Sequence, residues 1–174
     1  MQYVNLSDVR GHMLSELEND VATNKAYSSN RLTEQGKKTW VKLLEDAIRS
    51  HSDEWLAQQL LQQGLLLQYE SKKKPTGGFT QAKVPVNAHE MLAEGEFNRF
   101  YIRGVCIEAI SRGDDNVIVY RAKEVGNPRP ESAAKIGKRV PPRQLLEDLR
   151  NSIGTDTALG LPQGPNSGLS VKLA

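Results

Sequence analysis

The sequence predicts a mainly α fold with a small β element: a helical N-terminal hairpin, a central buried helix followed by a strand, and an extended C-terminal arm. Three observations carry this. Apolar residues recur every three to four positions through much of the chain before Gly113, the signature of helices that bury one face. Between Glu96 and Arg112 the apolar residues Phe97, Phe100, Tyr101, Ile102, Val105, Cys106, Ile107, Ala109 and Ile110 occupy most of the helical circumference, as in a helix covered on several sides. Val117 to Ala122 is β-branched and aromatic, the clearest strand in the chain. With 174 residues and 38% hydrophobic content, one main core is expected.

Each element has its own signal. Ser7 is the expected N-cap of a first helix with Val9, Met13, Leu14, Leu17 and Val21 on one stripe. Asn24 to Asn30 reads as a loop. Thr33 is the expected cap of a second helix whose apolar face is Trp40, Leu43, Leu44, Ala47 and Ile48. Ser52 caps a third carrying Trp55, Leu56, Leu60 and Leu61 and ending near Gly64. A tight His51-Ser52 turn makes these two a helical hairpin with Trp40 and Trp55 in its core. Leu65 to Tyr69 fits either a short strand or a helical continuation. Glu70 to Gly78, with three lysines, a proline and paired glycines, reads as a flexible loop or hinge. Asn87 is the expected cap of the next helical region, interrupted near Gly95 before the long helix begins. Gly104 inside that helix points to close approach by another element. The strand over 117–122 needs a partner, with Phe79 to Val86, Leu65 to Tyr69 or another chain as candidates. From Val125 to Pro142 the chain is proline-rich, basic and expected to be extended. Pro142 opens a short helix with Leu145, Leu146 and Leu149 on its face. The chain thus divides into a helical region (1–68), a loop or hinge (69–87), a region with the central helix, strand, basic segment and short helix (88–153), and a Gly/Pro-rich tail (154–174).

The search for chemistry returns little. Cys106, the only cysteine, excludes an internal disulfide and reads as a small buried hydrophobe. His12, His51 and His89 are far apart with no metal-ligand spacing, and no nucleophile elbow or phosphate-binding glycine loop is present. Glu94, Glu96, Glu108, Asp114, Asp115 and Lys123 are the residue types of a two-metal nuclease, but Asp114-Asp115 is first a turn signature and Glu108 falls on a helix. No catalytic residue, cofactor or metal is assigned. The first residues lack the basic and apolar regions of a signal peptide, and no stretch is long and apolar enough to span a membrane, so a cytoplasmic protein is expected.

Net charge is only +2, so any electrostatic argument is local. Lys72 to Lys74 form one basic cluster, and Arg121, Lys123, Arg129, Lys135, Lys138, Arg139 and Arg143 a second. The second cluster suits an acidic protein surface, solvent or phosphates. Neither cluster has the interleaved aromatics that single-strand binders use. Asn98, Arg99 and Arg103 are a candidate recognition face, or the arginines pair with Glu96 and Glu108 on their own helix.

The helical front end, the string Gly95-Glu96-Phe97-Asn98-Arg99-Phe100-Tyr101-Ile102-Arg103-Gly104, the extended Pro/Arg segment and the Gly/Pro tail together resemble accessory virion proteins of tailed bacteriophages. The resemblance implies a non-catalytic structural protein docked on a capsid or connector, oligomeric or bound to protein subunits of a larger assembly, made in the cytoplasm and located in the virion. The partner-binding candidates are then Arg121, Lys123, Arg129, Lys135, Lys138, Arg139 and Arg143 of the arm with Leu169, Val171 and Leu173 of the tail, both ordered by neighbouring copies. Deleting Gly154 to Ala174 is then expected to abolish assembly and spare the helical fold. Two other readings remain: a nucleic-acid-binding accessory protein using the 121–143 segment, and an enzyme whose cleft contains Glu96, Arg99, Arg103 and Glu108.

Overall fold

A computed structural model describes residues 1–154, 157, 159–162 and 167–174. The expected fold class holds: among the described residues, five helices and five short strands accompany one long central helix. That helix, α4 (Ala88–Arg112), is 25 residues long and buried on nearly every side between Glu96 and Cys106. It runs unbroken through Gly95, because a glycine costs a helix only about 1 kcal/mol and the packing of its neighbours offsets that.

Helix α1 (Leu6–Ala22) lies along α4. Its cap is Asn5 rather than Ser7, which sits exposed inside the first turn, and Val21 at its far end is exposed. The contact is close at Gly104: a Cβ there would come within 3.0 Å of Met13 and 3.1 Å of the Val9 carbonyl oxygen. Helices α2 (Glu34–Ser50) and α3 (Asp53–Gln62) start where the sequence places them, the Thr33 hydroxyl accepting from the Gly36 N–H and the Ser52 hydroxyl from the Trp55 N–H. Trp40 is buried and its indole N–H donates to the Tyr27 carbonyl at 2.8 Å. Trp55 is only partly covered, stacked on His51 at 4.1 Å, and Leu61 faces outward.

Two expectations fail in the same way. The segment read as a loop or hinge is an antiparallel hairpin, β1 (Tyr69–Lys73) with β2 (Phe79–Lys83). Gly77 and Gly78, with φ of 91° and 78°, allow the turn between them. The strand of 117–122 is β3 (Val117–Arg121), and its partners are neither the hairpin nor another chain. It is the centre strand of a sheet ordered β4-β3-β5, with β4 (Arg139–Val140) and the C-terminal β5 (Leu169–Leu173) both antiparallel to it. Pairing Val117 with Leu173, Val119 with Val171 and Arg121 with Leu169 brings the tail back into its own chain. Between β3 and β4 the basic segment includes a helical turn, α5 (Pro130–Ala133), and after β4 comes α6 (Pro142–Asn151), whose Leu145, Leu146 and Leu149 are buried against α4. Tail positions 155, 156, 158 and 163–166 lie outside the described residues. Among the described residues, no helix is long and apolar enough to cross a membrane.

Candidate functional site

The tail residues expected to meet a partner are interior. Leu169 and Val171 are 0% exposed and Leu173 is partly buried, all packed in the core of their own chain. The physical reason is the backbone of β3, which needs hydrogen-bond partners on both edges and finds them in β4 and β5. Asn98, a candidate for recognition, is buried and holds this strand in place. Its amide N–H donates to the Leu169 carbonyl at 2.8 Å and its amide oxygen accepts from the Ser170 hydroxyl at 2.7 Å.

The second basic cluster is divided. Arg121 donates to the Ser167 carbonyl at 2.9 Å, Lys123 pairs with Glu94, and Lys135 donates to the Gly160 carbonyl at 2.8 Å. These three spend their charge within the chain. Arg129, Lys138, Arg139 and Arg143 are exposed. No aromatic residue lies among these four positions in sequence.

The first basic cluster is transformed by the hairpin. Register alternation puts Tyr69, Ser71, Lys73, Phe79, Gln81 and Lys83 on one face, with Tyr69 opposite Lys83 and Phe79 opposite Lys73. All six are exposed, Phe79 by 71% and Tyr69 by 59%. The other face carries Glu70 and Ala82, both half-buried, and Glu70 accepts two hydrogen bonds from Arg31, at 2.7 and 2.9 Å, which tie the hairpin to the body. Two aromatic rings and two ammonium groups therefore share an outward face that bears no carboxylate. Composition along the chain hid this, because Lys73 and Phe79 are six positions apart until the turn brings them side by side. The turn residues Pro75, Gly77 and Gly78 between two strand-length runs were the signal that could have revealed it.

The four residues named for an enzymatic cleft do not converge. Arg103 is completely buried but turns to α1, donating to Glu16 at 2.6 Å and to both oxygens of Asp20 at 2.6 and 2.9 Å. Arg150 of α6 completes the network on Glu16. Burial pushes the Glu16 carboxyl up, yet the hydrogen bonds from Arg150 and Arg103 outweigh it and hold the group below its ordinary range. Glu108 lies about 18 Å further along α4 than Glu96 by helical rise, and pairs with His12 at 3.0 Å and Arg112 at 2.6 Å. Pairing of Arg99 and Arg103 with Glu96 or Glu108 is thus replaced by bonds to other elements: Arg103 to α1 and Arg99 to the Leu149 carbonyl of α6.

Glu96 and Arg99 do face a common cleft of about 440 Å³, whose walls include Tyr27, Leu66, Met91, Leu92 and Thr157. Glu96 is 9% exposed, and among the described residues no hydrogen bond or ion pair reaches it. Burial pushes its carboxyl up to about 7, against the opposing pull of Arg99 and Arg103. The Cys106 thiol, buried in the core, is pushed up to about 12 by that burial. Glu94 is paired with Lys123, away from Glu108, and among the described residues no group of three His, Cys, Asp or Glu side chains is placed to hold a metal. Compared with models of known families, with curated proteins and with solved structures, the chain matches none.

Proposed function

We propose that this protein is a non-catalytic docking protein that binds single-stranded nucleic acid through the outward face of the β1–β2 hairpin. The observation that carries the reading is the face itself: Tyr69 and Phe79 exposed beside Lys73 and Lys83, with Lys74 just past the strand end. Exposed aromatic rings lose little by leaving water and gain about 1–3 kcal/mol per stacked base, while ammonium groups follow the phosphates. A hairpin exposed along nearly its whole length is marginal in water without further burial. Its apolar exposure therefore has a use only when something covers it. The contact reads no sequence, since stacking accepts every base.

The test is fluorescence anisotropy with a labelled oligothymidine of about 20 nucleotides at roughly 50 and 200 mM salt, where contacts from Lys73, Lys74 and Lys83 would weaken binding by about 20-fold. Phe79→Ala should cost about 1–3 kcal/mol of that affinity. Absence of binding at the lower salt, or a Phe79→Ala variant that binds like the parent, removes the reading.

A second reading, docking on protein subunits of a larger assembly such as a virion, now rests on the hairpin rather than on the tail. β1 and β2 form a two-stranded sheet whose outer edges pair with no other strand among the described residues, a template for strand addition by a partner. Co-purification with a protein after nuclease treatment, unaffected by Phe79→Ala but lost on deleting the hairpin, would favour it over the first.

A further inference from the structure

We propose that the cleft between α4, the loop before α2 and the tail is a binding site for a free α-amino acid with an apolar side chain, Arg99 holding its carboxylate and Glu96 its ammonium. The cleft is of small-molecule size at about 440 Å³. Glu96 and Arg99 are three positions apart on α4, so their Cβ atoms lie about 5–6 Å apart on one helical face, and both line the cleft. Opposite charges at that spacing ordinarily pair with each other. Here they do not: Arg99 gives its Nη2 to the Leu149 carbonyl, and its Nη1 and Nε, like both Glu96 oxygens, meet no protein partner among the described residues.

The chain thus presents a cation with Nη1 and Nε unengaged among the described residues and a carboxyl without a protein hydrogen bond among them, side by side and more than nine-tenths buried in each case. Burial at this depth leaves a carboxyl poorly solvated even though it opens onto the cleft, and a ligand group there supplies bonds that the protein does not. A ligand bearing both charges on one carbon satisfies both groups at once. An isolated carboxylate would leave Glu96 unmatched, and an isolated amine would leave Arg99 unmatched. Leu66, Met91 and Leu92 supply an apolar wall for the side chain. Arg31, also at the cleft, is already engaged by Glu70. Because free Glu96 is pushed up to about 7 by burial, a ligand ammonium drives off its proton, so binding below that pH releases a proton to buffer.

Isothermal titration of the full chain with L-leucine, L-methionine and L-phenylalanine at about pH 6 tests this in two buffers of different ionisation enthalpy. Binding by at least one of the three is expected, with heats that differ between buffers by close to one released proton. For that amino acid, the matching carboxylic acid without the amine and the matching amine without the carboxyl should each bind about tenfold more weakly or worse. Glu96→Gln should lose a similar factor and the buffer dependence together. Because Arg99 also supports α6, Met91→Trp, which fills the cleft without removing a charge, serves as the second variant and should abolish binding. No heat with any of the three amino acids, an acid or amine analogue that binds as well as its parent, or unchanged binding by Glu96→Gln or Met91→Trp would each overturn the proposal.

Discussion

β5 and the two strands of the β1–β2 hairpin are each five residues long, and the fold treats them oppositely. Leu169-Ser-Val-Lys-Leu has its first three residues buried and all five paired to β3. Tyr69-Glu-Ser-Lys-Lys and Phe79-Thr-Gln-Ala-Lys pair only with each other and are exposed along nearly their whole length. β5 alternates leucine and valine with Ser170 and Lys172, whereas β1 and β2 each open on an aromatic residue followed by mostly polar ones, and both regions sit beside glycine and proline. What the structure adds is cover. β5 lies against α4, where Asn98 clamps its backbone, whereas the hairpin touches the body through Arg31 and Glu70. A strand's exposure is a property of its surroundings, and docking surfaces are sought among the strands that nothing covers.

The largest effect expected on breaking this contrast comes from the buried side. Val171→Asp puts an unpaired carboxylate in the core between β3 and α4 and should cost more than about 4 kcal/mol, leaving little cooperative unfolding in a urea titration followed by far-UV circular dichroism. A folded Val171→Asp protein would mean that the tail is dispensable. The same logic argues against the expectation that deleting Gly154 to Ala174 spares the helical fold, since the deletion strips β3 of one edge.

The intermediate effect lies in the cleft between the two regions, whose rim combines Arg31 at the hairpin's base with Thr157 and Pro162 of the tail. Because folding raises the pKa of Glu96 to about 7, its ionised form costs stability above the unfolded carboxyl range. The cost starts as pH passes about 4.3 and is complete above 7, at an order of magnitude of 3 kcal/mol. Glu96→Gln should therefore raise stability at pH 8 and change it little at pH 4, read from thermal midpoints at the two values. A gain equal at both would show that ionisation is not the cause. The opposite slope belongs to Glu16, held low by Arg150 and Arg103, whose contribution is lost in acid.

The smallest effect is on the exposed side. Phe79→Ala should move the urea midpoint by no more than about 0.5 kcal/mol, as for a surface substitution away from packing. A loss of 2 kcal/mol or more would place Phe79 against the body and end its role as a contact residue.

Local signals were legible wherever a residue's role depends on near neighbours. The caps Thr33 and Ser52, the buried face of α2, the all-round apolar α4 and the approach at Gly104 follow from periodicity and from the hydrogen bonds a cap makes three residues on. The site was less legible. Glu96 and Arg99 were named, yet placed with Arg103 and Glu108, because helical spacing says which residues share a face but not which neighbour meets each of them. The outward aromatic and basic face went unseen, since no window of sequence holds Tyr69, Lys73, Phe79 and Lys83 side by side.

The sequence by itself determined the helices, their caps, the central position of α4 and the existence of β3, because short-range hydrogen bonding and the apolar repeat decide these within a few turns. Only the tertiary structure decided what lies beside β3, which basic residues remain free and which charges are left without a partner. Those depend on segments far apart in the chain meeting across the core, as Asn98 meets Leu169 across 71 positions and Arg99 meets Leu149 across 50. Such meetings are set by the packing of the whole chain and leave no mark in the spacing of any one part of it.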